Sequence, residues 1–244
     1  MSCSQLFFRF LILFAGLLTC FSAVPAYAGH DGMALLKQQC VTCHNLSGPA
    51  PRTLAALIAR KGPDLFYAGD KYRRRWMETW LQHPTRIRPA GMAYSAYIKS
   101  KGEAGSAGAP ALPMHPALNV ADAADAAEAL MQLKASTLRI NRFLHQPKVG
   151  ISEVLPRGGM LFKHVYSCQI CHQIAPGVGG TSAPELYSAG RRLTQAFIRS
   201  YIRSPQLWDP KIWMPSRHIS EENIEKLASY LAALSMSPQE AHHD

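Results

Sequence analysis

Apolar side chains recur with helical spacing along two stretches of the chain. In each stretch they fall at i, i+4, i+5, i+8 and i+9, which places them on one face of an amphipathic helix. The positions are Tyr72, Trp76, Met77, Trp80 and Leu81 in the first stretch, and Leu193, Phe197, Ile198, Tyr201 and Ile202 in the second. Each stretch stops before a proline, Pro84 or Pro205, because proline cannot donate the next helical hydrogen bond. The pattern predicts two equivalent helices.

The two helices belong to a longer internal repeat. "GPDLFYAG" at 62–69 aligns with "APELYSAG" at 183–190, and the alignment continues without a gap through each helix. Each copy closes with a further helical pattern, at 120–133 and at 220–234, the latter with Ser220 placed as its N-cap. No stretch alternates as a β-strand would. We therefore expect an all-α fold made of two tandem copies of one domain.

The repeat also sets the expected domain boundaries. They are 29–135 for the first domain, 136–157 for a linker, 158–236 for the second domain and 237–244 for a tail. The linker is expected because this segment carries Pro147 and Pro156 and shows no sustained periodicity.

Residues 1–28 have the features of a signal peptide. A short apolar run ends at Val24 and is followed by Ala26-Tyr27-Ala28, which a signal peptidase would cut before Gly29. An uncleaved anchor is the alternative, although a membrane span needs roughly 20 apolar residues. A lipoprotein signal at Cys20 would lack the small residue that normally precedes the cysteine. We therefore expect export to a bacterial periplasm.

The composition fits a folded and basic protein. Hydrophobic residues make up 48%, enough for a core, and 26 Lys and Arg against 16 Asp and Glu give a formal net charge of +10. Such a surface would steer association with acidic partners, although a generally solvated basic surface gives the same count. The basic run "KYRRRW" at 71–76 is also typical of nucleic-acid binding. Export argues against that partner, and we expect none.

Four of the six cysteines lie in two pentapeptides, "CVTCH" at 40–44 and "CQICH" at 168–172. Cys-x-x-Cys-His is the attachment signature of c-type haem, in which the two thiols form thioethers to one porphyrin and the histidine ligates its iron. We expect each motif to open a helix. The candidate residues are Cys40, Cys43, Cys168 and Cys171 for covalent attachment of two haems c, and His44 and His172 for the two irons.

Three other uses of these cysteines are open. The four thiols could form one zinc site, but such sites usually close over a much shorter gap. A redox dithiol needs no following histidine and normally lies in a βαβ unit. Two disulfides would suit an oxidising compartment but would not explain the histidines.

The sixth iron ligand decides between electron transfer and substrate binding. In the second repeat Met214 precedes Pro215 ahead of the last helix, and a thioether there would fill the site and raise the potential. In the first repeat Met92 aligns most closely with Met214, while Met114 and His115 lie at a similar distance before the last helix. An open site is the remaining alternative. A Gly/Ala-rich insertion at 101–110 separates these candidates.

The order of these features resembles the class I cytochromes c, and the duplication resembles the two-haem periplasmic cytochromes of bacteria. The features are Cys-x-x-Cys-His, a Gly-Pro-x-Leu stretch with a following glycine, an aromatic helix, a methionine and a terminal helix. The resemblance implies that the carbonyls of Pro63 and Pro184 support His44 and His172. The chain departs from the pattern at Ala183, which replaces the glycine, and at the insertion of the first repeat.

The expected function is single-electron transfer between a dehydrogenase and a downstream acceptor or oxidase of a respiratory chain. Its partners would be redox proteins, including a membrane-bound oxidase or dehydrogenase. One alternative is a two-haem enzyme that oxidises a sulfur compound or reduces peroxide at the first haem. Another is the electron-transfer subunit of a larger dehydrogenase complex. Electron transfer is preferred, so we expect no catalytic residues.

Overall fold

The computed structural model describes residues 31–85, 87, 114–135 and 151–235, with the backbone alone for 151–154. The expected signal peptide and tail, Met92 and the Gly/Ala-rich insertion lie outside these residues. Within the described ranges the secondary structure is mostly helical, as the sequence predicts. None of the helices in these ranges has the length and hydropathy that a bilayer crossing requires.

Each repeat contributes a first helix, two short helices or turns, a middle helix and a last helix. In the first repeat these are α1 (Gly32–Leu35, extended by the π-helical turn Leu36–Cys40), α2 (Leu54–Ile58), α3 (Ala68–Lys71), α4 (Arg74–Gln82) and α5 (Val120–Gln132). In the second they are α6 (Ile151–Met160, extended by the π-helical turn Leu161–Val165), α7 (Ala189–Arg192), α8 (Gln195–Arg203), α9 (Pro205–Trp208) and α10 (Glu221–Leu234). A short 3-10 helix, Cys168–Ile170, precedes α7.

The helix boundaries follow local chemistry. α4 ends at Gln82 and α8 at Arg203, each two residues before a proline, as the sequence predicts. α10 begins after Ser220, whose side chain accepts a hydrogen bond from the backbone N–H of Asn223. Asn119 caps α5 in the same way, with a 2.9 Å bond from the N–H of Asp122. These caps satisfy backbone donors that the helix itself leaves without partners.

Three expectations differ from the structure. The segment 136–157 was expected to be a linker, but α6 already begins at Ile151 and continues through Pro156. Both motifs were expected to open helices: the second opens the short 3-10 helix Cys168–Ile170, but in the first Cys40 ends the π-helical turn that continues α1. A small antiparallel hairpin, Gln173–Ala175 with Val178–Gly179, follows the second motif. Its strands are too short for alternation to be visible in the sequence.

Within each repeat the first and last helices cross closely. A Cβ at Gly32 would collide with the backbone carbonyl of Asp125 in α5, and one at Gly158 would collide with Tyr230 in α10. Glycine therefore lets α1 pack on α5 and α6 pack on α10. The middle helix of each repeat packs on the same last helix. The cores that result include Leu36, Met77, Ala126 and Leu130 in the first repeat and Phe162, Ile198, Leu227 and Leu231 in the second.

The two repeats meet at an isolated antiparallel bridge. Tyr72 and Leu193, which occupy equivalent positions of the repeat, form an isolated antiparallel bridge. The flanking hydrogen bonds, both 2.9 Å, run from the N–H of Arg73 to the C=O of Arg192 and from the N–H of Thr194 to the C=O of Lys71. Each repeat thus donates and accepts the same bond, as in an isologous dimer interface.

Aromatic side chains of the two repeats also pack against each other. Tyr67 of the first repeat packs on Phe197 and Trp208 of the second, with ring centroids 6.2 Å and 5.1 Å apart. All three side chains are buried. The Trp208 indole donates a 2.9 Å hydrogen bond to the hydroxyl of Ser200, so its polar edge is satisfied.

A buried ion cluster also joins the repeats. The Arg60 guanidinium lies 2.6 Å from Asp64 in its own repeat and 3.1 Å from Asp209 in the other. Their carboxylates are almost completely buried, with side-chain exposures of 1% and 4%. The Arg60 guanidinium therefore pairs with one buried carboxylate of each repeat.

Candidate functional site

The two pentapeptide motifs adopt the same hydrogen-bonded turn. In the first motif the N–H groups of Cys43 and His44 donate to the carbonyl of Cys40 at 3.2 and 2.9 Å. In the second motif the corresponding bonds to the carbonyl of Cys168 measure 3.2 and 3.1 Å. Each turn therefore holds two thiols and an imidazole within five residues of backbone.

The cysteines in these turns are not paired in disulfides, and burial raises the pKa of two of them. All four described cysteines are free, so the disulfide interpretation is not supported. Burial raises the pKa of Cys168 to about 11 and also raises the pKa of Cys40. Redox dithiols work through a thiolate with a lowered pKa. These surroundings favour protonated thiols, so they do not suit a reactive dithiol.

The geometry does not support a shared zinc site either. Within the described ranges, no three or more His, Cys, Asp or Glu side chains are grouped so that they could hold a metal ion. A site made of Cys40, Cys43, Cys168 and Cys171 would need all four sulfurs around one centre. In the described residues the four sulfurs are thus not gathered around one centre.

Both histidines are oriented by a proline carbonyl. His44 Nδ1 lies 2.8 Å from the carbonyl oxygen of Pro63, and His172 Nδ1 lies 2.7 Å from that of Pro184. A carbonyl can only accept, so Nδ1 carries the hydrogen and the Nε2 lone pair of each ring is left for a metal. Burial lowers the pKa of both histidines, which favours the neutral form that ligates iron.

Gly62, which precedes Pro63, is required by the same contact. A Cβ at this position would lie 2.6 Å from His44 Cε1 and 2.8 Å from Nδ1. The glycine therefore lets the proline carbonyl approach the imidazole. In the second repeat Ala183 occupies this position, and its N–H donates a 3.0 Å hydrogen bond to the carbonyl of Cys171. The departure from the Gly-Pro-x-Leu pattern is accommodated there.

The candidate sixth ligands are placed differently in the two repeats. Met214 is half-buried, and its carbonyl accepts a 2.7 Å hydrogen bond from the side-chain amide of Gln206. In the first repeat His115 is half-buried beside His44, with ring centroids 6.2 Å apart. Met114 is 57% exposed. Met92 lies outside the described residues, so the structure says nothing of its position.

Gln206 is a residue that the sequence analysis did not identify. Its amide also contacts the carbonyl of Ile212 at 3.3 Å, and its carbonyl accepts a 2.7 Å bond from the Ser216 hydroxyl. These bonds fasten both ends of the loop that carries Met214. No local pattern marks a glutamine for this task, because its partners belong to an irregular loop.

These features fit a covalently attached haem. Each motif supplies two free thiols three positions apart, and a neutral imidazole with its Nε2 free. Partly exposed aromatic rings stand near the first motif, since Trp76 and Trp80 stack on each other and Trp80 packs on His115. The predicted aromatic face of α4 is therefore only partly used by the protein core.

Comparison with protein-family models found one match. The model described as "Cytochrome C oxidase, cbb3-type, subunit III" matches residues 153–231, which include the second motif and Met214. Comparison of the chain with curated proteins and with solved structures found no match. A cytochrome c domain carries covalently bound haem c and transfers electrons. Residues 153–231 are therefore similar to a c-type cytochrome domain.

Proposed function

We propose that the chain is a two-haem c-type cytochrome that transfers single electrons, with one haem in each repeat. The observation that carries this proposal is the duplicated histidine geometry. The 2.8 Å contact of His44 with Pro63 recurs as the 2.7 Å contact of His172 with Pro184. The matched cytochrome domain contains only the second of these sites, and the first copies its thiol spacing, its turn and its proline carbonyl.

Each residue of a site has a definite task in this proposal. Cys40 and Cys43 tether the first haem, and Cys168 and Cys171 the second. His44 and His172 ligate the irons, and the carbonyls behind them hold each imidazole in one tautomer and orientation. When bound, each haem supplies one iron centre that cycles between two oxidation states one electron apart.

Met214 completes the second site in this proposal. Its thioether would occupy the sixth position and raise the potential, while Gln206 holds the loop that carries it. A site filled by protein ligands on both sides excludes substrates from the iron, which suits an electron carrier better than an enzyme.

The contact between the repeats keeps the two sites in a fixed relation. The bridge at Tyr72 and Leu193 and the ion pair of Arg60 with Asp209 both join the repeats. A hinge motion between the repeats would have to break these contacts. Such rigidity suits electron transfer, because the separation of two redox centres does not then vary. Exchange between the two haems would be intramolecular.

The chain's redox partners are proposed from the family match and from its charge. The matched family is described as a subunit of a cytochrome c oxidase, so a terminal oxidase is the proposed electron acceptor, with a dehydrogenase as the donor. The net charge of +10 favours acidic docking surfaces on these partners. Export to the periplasm, through cleavage before Gly29, is part of the same proposal.

The test is the haem content of motif variants. We expect two covalent haems per chain in the wild-type protein, and one in each of the double variants C40A/C43A and C168A/C171A. A variant with all four substitutions should hold none, and the substitution S167A beside the second motif is the matched control. Unchanged haem content in C40A/C43A would overturn the two-haem proposal.

A further inference from the structure

The His44 and His115 rings lie beside each other. Their centroids are 6.2 Å apart and their planes differ by 48°. Two imidazoles joined by a hydrogen bond of about 2.9 Å between nitrogens would have centroids about 5 Å apart. The observed separation is too long for such a hydrogen bond, and it lies within the range of tilted ring contacts.

The same separation is that of two imidazoles sharing one metal ion. A metal–imidazole nitrogen distance is about 2.0 Å, and the ring centroid lies about 1.1 Å beyond the nitrogen, so two rings on opposite sides stand about 6.2 Å apart. The observed centroid distance of 6.2 Å equals this value. The centroid separation is thus compatible with one metal atom held between the two imidazoles.

The hydrogen bonds of both rings leave the matching nitrogen free. His115 Nδ1 lies 2.9 Å from the carbonyl oxygen of Pro116, just as His44 Nδ1 lies 2.8 Å from that of Pro63. Because a carbonyl only accepts, both rings carry their hydrogen on Nδ1 and keep the Nε2 lone pair. Both imidazoles are therefore in the tautomer that ligates through Nε2.

Neighbouring side chains support His115 rather than Met114. The Trp80 ring packs on the His115 ring with centroids 4.7 Å apart, and Trp80 is itself held by a 3.1 Å bond from its indole N–H to the Thr85 carbonyl. Met114 is 57% exposed. Only one of two consecutive residues can occupy a single axial position, and the ring contacts assign it to the histidine.

We propose that His115 is the sixth ligand of the first haem, opposite His44, so that this iron has two histidine ligands whereas the second has His172 and Met214. This inference rests on the proposed function, since it requires a haem at the first motif. Trp80 is a positioning residue in this arrangement, because it restricts the rotation of the His115 ring. The first iron is closed to substrates, which removes the site that an enzymatic function would use.

The difference in ligands gives the chain a direction. A thioether ligand raises the potential of haem iron relative to an imidazole. With His44 and His115 holding one haem and His172 and Met214 the other, the first site would be the more reducing, and electrons would pass from the first repeat to the second. The donor docks at the first repeat and the acceptor at the second.

The test compares ligand spectra of the purified two-haem protein with those of H115A, H115M, M114A and M92A. Haem content is measured first, because a chain with one haem refutes the proposed function itself. With two haems, the wild-type ferric protein should show one equivalent of the thioether-to-iron absorption band and one bis-imidazole low-spin signal by electron paramagnetic resonance. M114A and M92A should keep both signals.

The His115 variants separate ligation from packing. H115A should lose the bis-imidazole signal, bind cyanide at one haem and regain the low-spin signal when imidazole is added. H115M should instead gain a second thioether band and a higher first potential, which a purely structural role for His115 would not produce. Two thioether bands in the wild-type protein, or loss of one in M92A or M114A, would overturn the inference.

Discussion

Substitution of Arg60 tests how firmly the two repeats are joined. R60M keeps much of the side-chain volume but removes the guanidinium that lies 2.6 Å from Asp64 and 3.1 Å from Asp209. Both carboxylates would then be buried without a cation. Within the described residues, Asp209 Oδ1 already has no hydrogen-bond partner. Loss of Arg60 would remove the cation that pairs with the other oxygen of this carboxylate.

The expected cost follows from this burial. Removing one partner of a buried ion pair destabilises a protein by about 3–5 kcal/mol, because an uncompensated charge remains. R74M is the matched control, since Arg74 pairs with Glu128 at 3.0 Å while both side chains are about half exposed, at 56% and 51%. Exposed pairs contribute about 0.2–1 kcal/mol. R60M should therefore lose several times more unfolding free energy than R74M.

The assay is guanidinium unfolding of the holoprotein, followed by far-ultraviolet circular dichroism and by haem absorbance. Coincidence of the two probes shows whether the repeats unfold together. The triple variant R60M/D64N/D209N should recover part of the lost stability, because it removes the stranded charges. If R60M costs no more than R74M, or if the triple variant recovers nothing, the cluster does not join the repeats as described.

Two further substitutions test packing and the second site. G158A should destabilise the protein by about 1–3 kcal/mol in thermal unfolding, because the new methyl overlaps Tyr230 where α6 crosses α10. G159A is the control, since a Cβ there meets its nearest neighbour at 3.5 Å. It should be neutral or stabilising by up to about 1 kcal/mol. Equal melting temperatures for the two variants would contradict the close crossing. Q206A should loosen the loop that carries Met214 and increase cyanide binding at the second haem, measured by absorbance titration; unchanged affinity would show that Gln206 does not hold the ligand.

The sequence predicted those helices whose signals are local. α4 and α8 follow from apolar periodicity and a terminating proline, and α10 from its serine cap. α6 was missed over its first residues because Pro156 normally argues against a helix. The hairpin after the second motif was missed because its strands have three and two residues. Short elements of this kind are set by tertiary contacts, and periodicity does not reveal them.

The candidate site could be predicted as far as its local motifs extend. The spacing of the cysteines and histidines marked both candidate sites, and the family resemblance placed Pro63 and Pro184 at the histidines, where the structure has them. The resemblance could not assign the sixth ligand of the first repeat, because His115 and His44 are brought together only by folding. Arg60 and Asp209 are likewise 149 residues apart in the chain. Such pairings leave no trace in a single sequence.

The measurement that tests the central claim most directly is the number of covalent haems per chain. It combines a haem assay of the purified holoprotein with mass spectrometry of its proteolytic peptides. Two haems per chain, with one on the peptide that contains Cys40 and Cys43 and one on the peptide that contains Cys168 and Cys171, is the result that the account predicts. One haem, found only on the second peptide, would contradict it.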